Sequence, residues 1–192
     1  MMTGSAGAFL AGLGYGGGCL PKDVRAFRTA ARQLGLGSLA TILGEVNVIN
    51  QRCRARVVDL AREVAGCSLS GCRIAVLDLA FKPGSDDVRD SASLDVCGRL
   101  ARGGALVAAH DPVTTRNAAR IHPGLRYAES VLDVAADADL VLHLTEWGEY
   151  RALDPAILGA VVAQRKVIDA RCALDEKLWR SAGWFLRILG RP

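Results

Sequence analysis

The run CRIAVLDLAF, Cys72 to Phe81, decides how this chain folds. It is short and aliphatic at consecutive positions, it follows Gly71, and it runs out into Lys82-Pro83-Gly84. A strand covered on both faces reads this way, because neither face needs polar side chains. Working downstream, SASLDVCGRLARGG (91–104) reads as a helix ended by Gly103-Gly104, and ALVAAHDP (105–112) as the next strand. A short helix around Ser130 to Ala136 precedes a third strand, ADLVLHLT (138–145). KVIDA (166–170) gives a fourth, and WFLRIL (184–189) a fifth after a helix near Leu174 to Ser181. Short apolar strands alternating with helices predict an α/β fold with a doubly wound parallel sheet, whose ligand sites lie at the strand C-termini.

Upstream of Gly66 to Gly71 the pattern changes. Pro21 opens a helix that Gly35-Leu36-Gly37 ends. A longer helix follows from Ser38 to about Ala65, with Leu39, Ile42, Leu43, Val46, Ile49, Cys53, Val57, Leu60 and Val64 in one stripe at three- and four-residue steps. A one-faced helix of this length needs a partner helix, and a dimer contact is one way to supply it. The expected division is residues 1–68 and 69–192.

Composition narrows the functional classes. The 192 residues are 51% hydrophobic and 23% charged, enough apolar material for a real core and far from a disordered chain. The net charge of +4 is spread among mixed signs and only 5% of residues are aromatic, which argues against nucleic acid as partner. No apolar run reaches the ~20 residues of a membrane span, and the start, MMTGSAGAFLAGLGYGGG, lacks the basic segment of a signal peptide. Six cysteines form no CxxC pair and only three histidines accompany them, which argues strongly against a zinc site. Those other than Cys19 read as small buried hydrophobes in a reducing cytosol.

Two segments carry reactive chemistry. In GYGGGCLPKD (14–23), glycines allow close backbone approach to a ligand. Cys19 stands just ahead of a helix, and the helix terminus and Lys22 both favour thiolate. Asp23 is placed to steer a water or accept a proton. The plain alternative is a flexible loop with an incidental cysteine. LAFKPGSDDVRDS (79–91) leaves a strand end and enters a helix, with Lys82 and Arg89 suited to phosphate oxygens and Asp90 and Ser91 as N-cap candidates. Its alternative is a solvated charged loop. No GxGxxG follows this strand, so ordinary NAD binding by this sheet is disfavoured. Arg171, after KVIDA, adds a cation on the same sheet edge, although taken alone it reads as a surface residue. TEWGEY (145–150) follows another strand end and reads equally well as a packed loop. His110 and His143 end apolar strands, His122 precedes a proline, and none pairs visibly with Cys19.

Taken together, the segments resemble the UDP-glucose/GDP-mannose dehydrogenases, the nucleotide-sugar 6-dehydrogenases of nucleotide-sugar and polysaccharide metabolism. GYGGGCLPKD is similar to the family's GFGGSCFPKD, and AFKPGSDDVRDS to its AFKPNTDDVRES. HDP, ADADLVLHLTEW and DAR match YDP, the DAD…LTEW stretch and DGR. The resemblance implies oxidation of a sugar C6 alcohol to a carboxylate with two NAD+, through a cysteine thiohemiacetal and thioester. It assigns Cys19 as nucleophile, with Asp23 and Lys22 beside it in the catalytic set. Tyr15, Gly16, Gly17 and Gly18 would line the sugar, with Phe81, Lys82 and Arg171 binding substrate and Arg89 reaching NAD. UDP-glucose is the expected nucleotide-sugar, as the family's commonest substrate.

Against the family pattern, the N-terminal NAD-binding domain and half of the central helical domain have no counterpart in these residues. Asp78 stands where the strand end usually carries glycine, and Gly18 replaces serine. The expectation is therefore a truncated or split cytoplasmic dehydrogenase, a homodimer through the 38–65 helix or the partner of a separately encoded NAD-binding half. A non-catalytic nucleotide-sugar-binding module and a decayed gene fragment are the rival readings.

Overall fold

The computed structural model describes residues 12–66 and 68–191. Two helices, α1 (Leu20–Gln33) and α2 (Gly37–Ala65), pack as a hairpin. Gly35, at φ +73°, makes the turn between them, and the Leu36 N–H returns to the Ala31 carbonyl at 2.8 Å. Six strands then form one parallel sheet: β1 (Arg73–Leu77), β2 (Leu106–His110), β3 (Arg126–Tyr127), β4 (Leu140–His143), β5 (Lys166–Asp169) and β6 (Phe185–Ile188), in the order β3-β2-β1-β4-β5-β6. The connections carry α3 (Ala92–Arg102), α4 (Thr115–Ile121), α5 (Val131–Ala135), α6 (Gly148–Arg151), α7 (Pro155–Gly159) and α8 (Glu176–Ser181). Strand order reverses between β1 and β4, and in sheets of this kind ligands bind at the strand C-terminal ends beside such a reversal.

Both sheet faces are covered, which is why the strands read as continuous apolar runs. Ile74, Val76, Val107, Leu140, Leu142 and Ile168 share one core with α2 and α3. Ala75, Leu77, Val141, Val167 and Leu186 share the other with Tyr150, Trp179 and Trp184. Val57, Leu60, Ala61 and Val64 of α2 belong to the first core, so the distal half of that helix is a layer of the α/β unit. Each large aliphatic side chain fully buried there contributes about 1.5–3 kcal/mol.

Some expectations need correction. The sheet has a sixth strand, β3, whose two residues carry no hydrophobic period, and α4, α6 and α7 are too short to show one. The predicted stripe on α2 is buried only in its distal half: Ile42 and Ile49 are 61% and 56% exposed, whereas Ala40, Gly44, Asn50 and Arg54 face inward. Small and polar residues thus define the buried face there, and hydrophobicity does not flag them. Of the cysteines, Cys97 is buried, Cys19 and Cys172 are exposed, and Cys67 lies outside the described residues.

Candidate functional site

The glycine loop lies along the C-terminal edge of the sheet. Gly12 sits so close to Arg171 that an added Cβ would come within 2.9 Å of its Nη1. Two turns of α2 hold the next residues: Asn50 Oδ1 accepts from the Tyr15 N–H at 2.7 Å, and its Nδ2 donates to the Tyr15 carbonyl at 2.9 Å. One turn on, Arg54 donates to the same carbonyl at 2.9 Å and to that of Asp90 at 3.4 Å, and pairs with Asp95 at 3.3 Å. Its side chain is only 5% exposed. Gly16 then abuts the Asp90 carbonyl, Gly17 the Phe81 ring and Gly18 the Arg89 guanidinium. At Gly17 glycine is required twice, because φ is +85° and a Cβ would meet the ring at 2.9 Å.

Cys19 follows, exposed, at the N-cap position of α1. The helix begins at Leu20, with Pro21 in its first turn, as the sequence predicts to within one residue. Asp23 donates its N–H to the Cys19 carbonyl at 2.9 Å, and its carboxylate lies 3.6 Å from Lys22 in an exposed pair. Arg89 is within electrostatic reach of Cys19 and forks onto Asp87 at 2.8–3.2 Å. That hydrogen bond holds the Asp87 carboxyl below its usual range. Lys82 is exposed, its ammonium 5.4 Å from the Phe81 ring centroid. Ser91, not Asp90, caps α3, accepting from the Leu94 N–H at 3.1 Å.

Arg171 is not a surface cation: its side chain is 14% exposed, and Nε donates to the Leu144 carbonyl at 2.9 Å beside Glu146 at 3.4 Å. Among the described residues its two terminal nitrogens make no hydrogen bond, and Nη1 lies toward Gly12. The structure therefore brings Tyr15, Gly16, Gly17, Gly18, Phe81 and Arg89 into one cluster with Cys19 at its rim, and sets Arg171 at the other end of the same loop. Lys22, Asp23 and Lys82 stand exposed around it.

Behind these loops lies a buried polar layer. Asp78, at the end of β1, has no solvent exposure and sits at φ +92°, a conformation that costs a non-glycine residue of order 1–3 kcal/mol. Its carboxyl accepts from Trp147 Nε1 at 2.6 Å and Ser93 Oγ at 3.3 Å, and hydrogen-bonds Asp111. Burial, reinforced by the Asp111 charge, pushes Asp78 well above the carboxylate range. Burial pushes Asp111 the same way, but the Asp78 hydrogen bond and the N–H groups of Thr114, Leu79 and Val113 outweigh it and hold its carboxyl low. Of the two carboxyls, Asp78 is therefore the one that holds a proton more readily and Asp111 the one that gives it up.

Sequence reasoning missed Asn50, Arg54 and His143. The first two interrupt the inward face of α2 at an i, i+4 spacing, which is the signal that polar groups there have a buried task. A separate cleft of about 530 Å³ opens at the opposite, N-terminal edge of the sheet, between Arg73, Leu106, Arg126 and Asp137, and holds none of the predicted site residues.

A doubly wound parallel sheet whose C-terminal edge gathers cations, a glycine loop and a thiol defines an α/β protein with a candidate ligand site at that edge. Comparison with known proteins makes this specific. The UDP binding domain of the UDP-glucose/GDP-mannose dehydrogenase family matches residues 75–176, and that family's central domain matches residues 3–52. The chain belongs to this family. It is 42% identical over 165 residues to UDP-glucose 6-dehydrogenase AglM of Haloferax volcanii, covering 85% of this chain and 37% of that protein. It is 37% identical over 183 residues to a UDP-glucose 6-dehydrogenase of Rhizobium meliloti, covering 95% and 41%. The structure of a UDP-glucose dehydrogenase from Pyrobaculum islandicum superposes with a TM-score of 0.74 at 31% identity, over 92% of this chain and 37% of that one. The chain spans about two fifths of the length of the relatives it matches.

Proposed function

We propose that this chain is the nucleotide-sugar-binding, thiol-bearing part of a UDP-sugar 6-dehydrogenase, with UDP-glucose as its ligand. The observation that carries this reading is the packing of the Cys19 loop onto Phe81, Arg89 and Arg171 at the sheet's C-terminal edge. Arg171 and Lys82 supply charge for the diphosphate, and Tyr15 to Gly18 present backbone to the sugar. Cys19 Sγ, as thiolate, adds to the C6 aldehyde. The sulfur lone pair forms the new C–S bond, the carbon–oxygen π bond breaks as its electron pair moves to oxygen, and that oxygen takes a proton, with Asp23 one helical turn away to relay it.

NAD is the family's oxidant, but the residues described here do not form a dinucleotide site. The N–H groups of Leu79 and Ala80, which a phosphate would use at the end of β1, already donate to Asp111 at 3.0 and 3.1 Å. Asp78, wholly buried at the same strand end, adds a carboxyl there and not a cation. Arg89 is what this chain offers toward NAD, and no oxidation step is assigned to its own residues.

The 38–65 helix supplies a contact with a second copy. Ile42, Val46 and Ile49 project at four- and three-residue steps and are 61%, 38% and 56% exposed. Light scattering should show a dimer that Ile42→Asp with Ile49→Asp converts to monomer; a monomeric wild-type chain would remove this part.

Calorimetric titration with UDP-glucose, and GDP-mannose as comparator, tests the main reading. Saturable binding of UDP-glucose, weakened by Lys82→Ala or Arg171→Ala and without NADH formation by the chain alone, is expected. A folded chain that binds neither nucleotide-sugar would overturn it.

A further inference from the structure

His143 and Asp169 stand opposite one another at the C-terminal ends of β4 and β5, both wholly buried, with Nδ1 3.0 Å from Oδ1. The same Oδ1 accepts from the Arg171 N–H at 2.9 Å, while Oδ2 accepts from Ala173 at 2.8 Å and Leu174 at 2.9 Å. One carboxylate therefore shapes the whole turn that leaves β5, including Cys172 at φ +54°. An ionised carboxylate only accepts, so the proton of this contact sits on His143 Nδ1. On its other side the ring stands edge-on to Tyr150 at 6.2 Å between centroids. Among the described residues Nε2 has no hydrogen-bond partner, so the contact to Asp169 is the polar contact that orients the ring.

Rotating Asp169 would move the Arg171 backbone, since Arg171 hangs from the same oxygen that His143 fixes. The Arg171 side chain in turn crosses back to β4 at Leu144 and Glu146, the residues that follow His143. We propose that His143 is a positioning residue: through Asp169 it sets the turn that presents the Arg171 guanidinium to the diphosphate of a nucleoside-diphosphate sugar. This rests on the reading of Arg171 given above. Outer-shell partners of this kind carry about tenfold or more in affinity at metal sites, where they have been measured, and a similar scale is expected here.

The test uses the full chain with His143→Leu, His143→Asn, His143→Gln and Arg171→Ala, read by UDP-glucose titration and by amide hydrogen exchange. His143→Leu should weaken binding about tenfold and speed exchange at Arg171, Ala173 and Leu174. His143→Asn, which can place an N–H near the Nδ1 position, should restore both, whereas His143→Gln, with its N–H near Nε2, should not. In the Arg171→Ala background His143→Leu should cost no further affinity. Unchanged exchange and affinity in His143→Leu would overturn the proposal, and so would an equal loss with and without the Arg171 side chain. If His143→Leu does not fold, the Asn and Gln variants decide, and equal behaviour of the two is contrary. If Arg171→Ala itself binds UDP-glucose normally, the nucleotide-sugar reading of Arg171 fails, while the exchange data still judge the His143 contact.

Discussion

Two aspartates close two strands of the same sheet, Asp78 on β1 and Asp169 on β5, and both are wholly buried. Burial pushes both carboxyls upward, yet they end in opposite states. Asp169 meets His143 and the N–H groups of Leu174 and Arg171, and is held below the usual carboxylate range. Asp78 meets a second carboxyl, Asp111, and rises well above it. Burial alone therefore does not set the charge of a strand-end carboxyl; the donors aimed at it do. The two also serve different loops. Asp169 shapes the turn that carries Arg171, and Asp78 ties the β1 end to Trp147.

Removing Asp169 should have the largest effect. Asp169→Ala leaves the His143 ring and three backbone N–H groups without their acceptor and should cost about 3–5 kcal/mol in denaturant unfolding. A loss below 1 kcal/mol would show that other groups satisfy these donors. Asp78→Asn sharpens the contrast through pH. A folded-state pKa raised above the unfolded one means stability that is fully present below the unfolded value and falls as pH rises through the folded value. Asn keeps an N–H toward Asp111 without that titration, so the variant should gain on wild type as pH rises from about 4. Asp169, with its depressed pKa, acts in the other direction, its contribution being lost as pH falls. Equal pH–stability curves for wild type and Asp78→Asn would break the assignment of a raised pKa to Asp78. Trp147→Phe removes one donor to Asp78 and should cost about 1 kcal/mol. Smallest of all, Asp87→Asn frees an exposed arginine and should leave the melting temperature unchanged while loosening Arg89 from its place over Gly18.

The legibility of the molecule follows the same line between apolar and polar burial. Five strands were readable because both faces of the sheet are covered, so each strand is a solid aliphatic run; Arg126-Tyr127 has no such run and became a strand only through its neighbour β2. The segments of Cys19 and Arg89 were legible because they carry glycines, a helix start and cations at a strand end, whereas Phe81 is singled out only by the family resemblance and Arg171, taken alone, reads as a surface residue. Asn50, Arg54 and His143 were not legible, because a polar residue inside an apolar pattern looks like an interruption until its partner, distant in sequence, is known. The partners here lie 35, 39 and 26 residues away. Lys82 and Asp23 stand in the middle: their segments were legible, their exposed placement was not.

The central claim is that the thiol of Cys19 and the nucleotide-sugar meet at one sheet edge. Alkylation of the purified chain by iodoacetamide, followed at the Cys19 peptide in the mass spectrometer with added glutathione as the control thiol, tests this directly because Cys19 is exposed. UDP-glucose should slow modification of Cys19 and leave that of glutathione unaffected. Equal rates at Cys19 with and without saturating UDP-glucose would contradict the account.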